Sequence, residues 1–143
     1  MIRTATTSDY PELRELYHDA KLRQHPFIDS EFLSSDIDHR FEQMLPDQDC
    51  YLFEQEGEIE GFVAVSGDHL ASLIFPTDRQ HIGRALLEHV KSRHQQLHLY
   101  CFVENRPARL FYQQQGFEVV GEKVNEALDA LEYRMEYGVA LSA

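Results

Sequence analysis

Positive charge is scarce in this chain. Thirteen lysines and arginines stand against 25 aspartates and glutamates, a formal net charge of −12 over 143 residues. So acidic a surface disfavours non-specific binding to nucleic acid or to anionic membrane, and is compatible with drawing in a cationic acceptor such as an amine or a lysine-bearing protein. Cysteine is scarce too. Cys50 and Cys101, both in strand-like runs, fit reduced, buried thiols of a cytoplasmic protein better than a disulfide framework. No Cys/His spacing matches a zinc site, so no metal is expected. Long apolar runs are missing: Phe62-Val63-Ala64-Val65 falls far short of the ~20 residues that cross a bilayer. No secretory leader pattern, repeat, low-complexity tract or linker is evident. With 43% apolar residues, residues 1–143 are expected to form one domain with a real core.

The hydrophobic period changes along the chain. Ile2 to Ala5 reads as a short strand. Asp9 with Glu12 has the spacing of a capping box, Pro11 suits a first helical turn, and Leu13, Leu16, Tyr17 and Ala20 predict a helix from 10 to 22. After His25-Pro26-Phe27-Ile28, the stripe Phe32, Leu33, Ile37, Phe41 and Met44 predicts a second helix from 29 to 45. Runs at 50–54, 59–66 and 69–75, separated by turn residues, predict an antiparallel meander. Ile82, Ala85, Leu86 and Val90 mark a helix from 82 to 93, and 97–103 a strand. A short helix follows Asn105, then strands from Phe117 and over 131–137. The order β-α-α-β-β-β-α-β-α-β-β describes a mixed α/β sheet containing two strand-helix-strand crossovers.

Two segments carry chemistry. In Asn105-Arg106-Pro107-Ala108-Arg109-Leu110-Phe111-Tyr112, residues Asn105, Ala108 and Tyr112 fall at i, i+3 and i+7, on one face of a helix that opens with Pro107 and that Gly116 can end. In Pro76-Thr77-Asp78-Arg79-Gln80-His81-Ile82-Gly83-Arg84-Ala85, a glycine-bearing loop enters a helix, where backbone N–H groups and the helix dipole can hold a phosphate.

These residues resemble the acyl-CoA-binding signature of the GNAT N-acetyltransferase superfamily. The element order matches that fold across nearly the whole chain, and the closest likeness is to small bacterial members. The resemblance implies acetyl transfer from acetyl-CoA to an amine by direct attack. It implies a CoA pyrophosphate held by the pattern Gln/Arg-x-x-Gly-x-Gly/Ala. Two registers are open. Gln80-x-x-Gly83-x-Ala85 matches literally. In the preferred alternative Arg79 is the displaced leading residue and Gly83 the last glycine at the helix mouth. His81 stands where the family usually has glycine, and the loop looks one residue short. Arg79 and Arg84 would pair with phosphates, beside Gln80, His81 and Ile82.

By the same resemblance Tyr112 is the general acid, since a phenol near ~10 can share a proton with a thiol near ~8.5. Asn105 contacts the cofactor, with Ala108 and Phe111 beside it. The strand ending Leu73-Ile74-Phe75 offers its backbone to pantetheine, with an N–H near Leu73 or Ile74 for the carbonyl oxygen. His69 is the first candidate base, with His25 and Glu104 weaker ones. His25 and Phe27 would line the acceptor cleft. The acceptor is a protein lysine, an N-terminus or a small amine, and the protein a monomer or homodimer. A non-catalytic acyl-CoA-binding domain that kept the fold is the competing reading.

Overall fold

A computed structural model describes residues 1–26 and 49–138. The helix expected over 29–45 and the candidate residue Phe27 lie outside them. Seven strands form one mixed sheet: β1 (Ile2–Thr4), β2 (Asp49–Gln55), β3 (Glu58–Ser66), β4 (His69–Ile74), β5 (Gln96–Phe102), β6 (Glu118–Asn125) and β7 (Ala130–Gly138). Their spatial order is β1-β2-β3-β4-β5-β7-β6. Helix α1 (Tyr10–Gln24) follows β1, α2 (Gln80–Lys91) joins β4 to β5, and α3 (Arg106–Gln114) joins β5 to β6. The expected meander is present as β2-β3-β4, with β1 added at its edge.

The two expected crossovers differ. β4-α2-β5 is a parallel neighbour pair. β5-α3-β6 skips a place, because β7 inserts between its two strands and is antiparallel to both. The local signals are consistent with the elements. Pro11 sits in the first turn of α1 and Pro107 in that of α3, where a missing N–H costs nothing. Gly116, at φ +95°, takes the left-handed turn that ends α3. The capping box expected between Asp9 and Glu12 is displaced by one turn. The Thr6 N–H donates to the Asp9 carboxylate at 2.8 Å, and Arg3 grips the same carboxylate with both guanidinium nitrogens.

The sheet separates two cores. On one side α1 packs Leu13, Tyr17 and Ala20 against Leu52, Phe62, Ala64 and Ile74. On the other, Ile82, Leu86, Leu87 and Val90 of α2 and Phe111 of α3 pack against Val63, Leu73, Leu97, Leu99 and Met135. Each fully buried aliphatic residue there contributes roughly 1.5–3 kcal/mol. Gly61 lets α2 dock this closely: a Cβ on it would lie 2.6 Å from the Ile74 carbonyl oxygen and 3.2 Å from Ile82.

Candidate active site

The sheet opens between β4 and β5. The two strands share a single register pair, His69 with His98, at their N-terminal ends. Just beyond it β4 carries a bulge. Leu70 pairs with Val65 and Ser72 with Ala64, which leaves Ala71 as the extra residue. A bulge bends its strand and re-aims the residues after it. From Ser72 onward β4 therefore has an edge with no strand partner on the β5 side among the described residues. Such a crevice, at the carboxyl ends of parallel strands, is where open α/β sheets take ligands.

One wall comes from α3. Tyr112 is half-buried, packed by Phe111 and Phe117 with ring centroids 5.6 Å away in each case. It joins the same cluster as Leu73 of β4 and Cys101 of β5. Burial, reinforced by the nearby Cys101 thiol, pushes its phenol up from the ordinary value. At neutral pH the phenol is protonated and has a proton to donate. Its hydroxyl makes no hydrogen bond among the described residues.

Asn105 stands at the mouth of α3. It is buried, its Oδ1 accepts the Ala108 N–H at 3.4 Å, and its Nδ2 lies 3.5 Å from Nε2 of His25. Asn105 is thus the cap of α3. His25 does not line an open cleft. It is 3% exposed, edge-on to Phe102 at 4.9 Å, with Nδ1 2.8 Å from the Lys21 carbonyl. Burial, helped by the Lys21 charge, lowers it to about 4, so it is neutral, donating from Nδ1 and accepting at Nε2.

The other end of the crevice is the mouth of α2. The helix begins at Gln80, two residues before the expected start, with Arg79 at its N-cap. Arg79 N–H bonds to Pro76 and Ile82 N–H to Arg79. The Gln80 and His81 amides are left without a protein acceptor among the described residues, at the positive end of a helix dipole. Gln80, His81 and Arg84 are exposed. Gly83 is not at this mouth. It is buried one turn inside α2, and a Cβ there would meet the Phe75 ring at 2.6 Å. Phe75, itself packed on Phe111 at 4.9 Å, crosses the helix there and excludes a side chain at position 83. Ile82, Leu73 and Ile74 are core residues.

Arg79 is already engaged. Its guanidinium bonds to Glu60 of β3 at 2.8 Å, and these residues line a cavity of about 450 Å³ with Gln55, Glu56, Glu58 and His81. Glu60 was not singled out in the sequence; a partner 19 residues away across a loop leaves no local signal. His69 stacks on His98 at 4.9 Å, at the closed end of the crevice. Cys101, beside Tyr112, is three residues further along β5, about 10 Å at strand rise, so His69 and Tyr112 are not brought together. Glu104 is exposed. Glu132 of β7, unremarked in the sequence because strand alternation assigns it only to a polar face, is 9% exposed. No candidate metal cluster occurs among the described residues, and none of their helices is long and apolar enough to cross a membrane.

Residues 13–137 match the family model described as "Acetyltransferase (GNAT) domain". Peptidyl-lysine N-acetyltransferase YiaC of Escherichia coli (strain K12) is 34% identical over 123 residues, 84% of each chain. Among solved structures, apo YjaB from Escherichia coli superposes with a TM-score of 0.82 at 24% identity, covering 97% of this chain and 98% of that one. PaiA N-acetyltransferase from Thermoplasma acidophilum, in complex with coenzyme A, superposes with a TM-score of 0.77 at 19% identity, over 97% and 98% of the two chains.

Proposed function

The chain belongs to the GNAT acetyltransferase family, and from that premise we propose that it acetylates the side-chain amine of a peptidyl lysine, with Tyr112 as general acid. It is an acetyl-CoA-dependent N-acetyltransferase; acetyl-CoA supplies an activated acyl group as a thioester. The observation that carries the reading is the half-buried Tyr112 phenol, which packs against the cluster holding Leu73 of β4 and Cys101 of β5.

The residues divide the work by position. The free edge of β4 from Ser72 to Phe75 would lie along the pantetheine arm as a strand would. An amide near Leu73 or Ile74 would stabilise charge on the carbonyl oxygen. The Gln80 and His81 amides, the α2 dipole and Arg84 would hold the diphosphate, joined by Arg79 once it leaves Glu60. Tyr112 donates its proton to the departing sulfur. Asn105 fixes the mouth of α3 and so the direction of Tyr112. His69 would reach the acceptor only through water. The lysine acceptor is supported by the relative YiaC and by the net charge of −12, which attracts an ammonium. A single cytoplasmic domain accords with two free, buried thiols.

The test is thiol release from acetyl-CoA with lysine peptides, N-terminal peptides and small amines side by side. Lysine peptides are expected to give the highest kcat/KM. A small amine turning over faster than every peptide would replace the acceptor class.

A further inference from the structure

The turn between β6 and β7 reaches from one half of the sheet to the other. β7 begins at Ala130, beyond the carboxyl end of β5: Phe102 pairs with Glu132, and the Val103 N–H bonds to the Leu131 carbonyl at 2.9 Å. The turn ahead of it, residues 126–129, therefore lies at the end where the β4–β5 crevice is open. Its Leu128 is 8% exposed and belongs to the core beneath α1, with Tyr17 and Ala20 of that helix and Ile74 from the end of β4. Phe102, from the end of β5, packs against the same cluster. Tyr112 belongs to the other core, on the α2 and α3 side of the sheet.

Leu128 differs from its neighbours. Val119, Val120 and Val124 of β6 and Leu131 of β7 are 40% exposed or more. Of the large apolar residues between Glu118 and Leu131, Leu128 alone is buried, so one side chain fastens the turn to α1 and β4. The backbone beside it is strained. Asp129 stands at φ +51°, left-handed backbone that a residue with a Cβ adopts at a cost. The Asn125 side chain accepts the Leu128 N–H at 3.2 Å, and burial of the Leu128 side chain offsets the strain. A turn held by one apolar contact against a strained residue is a strap with two positions close in free energy.

We propose that residues 126–129 form a strap over the acceptor entrance, latched by Leu128, and that the acceptor lysine enters by taking the latch's place. This deepens, and rests on, the transferase reading above. With the acid on the α2 and α3 side of the sheet, the amine comes from the α1 side, where Leu128 packs with residues from the ends of both β4 and β5. A lysine carries an apolar four-carbon stem behind its ammonium. That stem replaces the Leu128 side chain against Ile74 and Phe102, and the ammonium is carried past them toward the thioester. An N-terminal amine has no such stem, so it recovers none of the contact that opening the strap gives up. The latch thus selects side-chain amines.

The test compares the full chain with its Leu128→Ala and Leu128→Met variants, reading kcat and KM separately. The probes are a lysine peptide and a lysine-free peptide with a free N-terminus. A latch closed nine times in ten weakens apparent binding of the entering group about tenfold. Leu128→Ala is therefore expected to lower KM for the lysine peptide about 5- to 10-fold, with KM for acetyl-CoA and kcat within twofold. Its melting temperature should fall, since a buried leucine is cut back. Leu128→Met, apolar and of like volume, should stay within twofold throughout. In the wild-type chain, adding the lysine peptide with free coenzyme A should speed exchange of the Leu128 amide, and the lysine-free peptide should not. That measurement decides whether or not Leu128→Ala folds. Exchange at Leu128 that stays constant or slows with the lysine peptide overturns the strap, as does a folded Leu128→Ala chain whose peptide KM is unchanged or raised. A wild-type chain that releases no thiol with any amine instead overturns the transferase reading, and this inference with it.

Discussion

The Asn105 amide nitrogen lies 3.5 Å from Nε2 of His25, 80 residues away in sequence. Through that contact the end of α1 is tied to the mouth of α3, the helix that carries Tyr112. His25 can accept there only while neutral, and burial holds it neutral down to about pH 4.

The pairing has a pH signature. The folded imidazole titrates near 4 against 6.5 unfolded, so between those values the unfolded chain binds the extra proton. Stability should be full above pH 6.5, fall as pH drops through the window, and level off below 4. The loss should be on the order of 3 kcal/mol. Denaturant midpoints measured across the window check this. In His25→Gln the slope between pH 6.5 and 4 should largely vanish; an unchanged slope would assign it to other groups.

Tyr112→Phe keeps the ring contacts with Phe111 and Phe117 and removes only the hydroxyl. Turnover should fall roughly 10- to 100-fold, within or just below the usual general-acid range, with the melting temperature nearly unchanged. Steady-state kinetics with a lysine peptide decides it. Full activity would remove the phenol from the reaction.

Gly83→Ala places a methyl group 2.6 Å from the Phe75 ring. Overpacking of this kind costs about 1–3 kcal/mol. The prediction is a lower melting temperature that Phe75→Leu partly restores in the double variant. Strict additivity of the two changes would mean the contact is not what excludes a side chain at 83.

Glu60→Gln frees Arg79 and removes a negative charge beside the α2 mouth. Coenzyme A should then bind about threefold tighter at low salt, in keeping with the small worth of exposed ion pairs, and the gain should shrink as salt screens it. Calorimetry at two ionic strengths reads both effects. Weaker binding would assign Glu60 to holding Arg79 in place for the ligand.

Much of the fold was legible because the dominant signals were periodic. The stripe Ile82, Leu86 and Val90 and the alternation of 131–137 fall on a helix and a strand as expected, and Gly116 ends α3. Boundaries moved by about two residues where caps decide them, as at Gln80. A motif fixes a residue's place only relative to its own helix, as for Tyr112 within α3 and Asn105 at its N-cap. At Gly83 a phosphate loop and a crossing aromatic ring both demand glycine, and the Phe75 contact is visible only in the fold. Glu60 left no trace, because its environment is made by a strand and a loop distant in sequence.

Among the described residues His69–His98 is the one register pair between two half-sheets, β1 to β4 and β5 to β7. A molecule threaded between them would serve as mortar as well as reagent, knitting edges that the backbone leaves apart. Loading the coenzyme should therefore stiffen the whole body and slow amide exchange from Ser72 to Ile74.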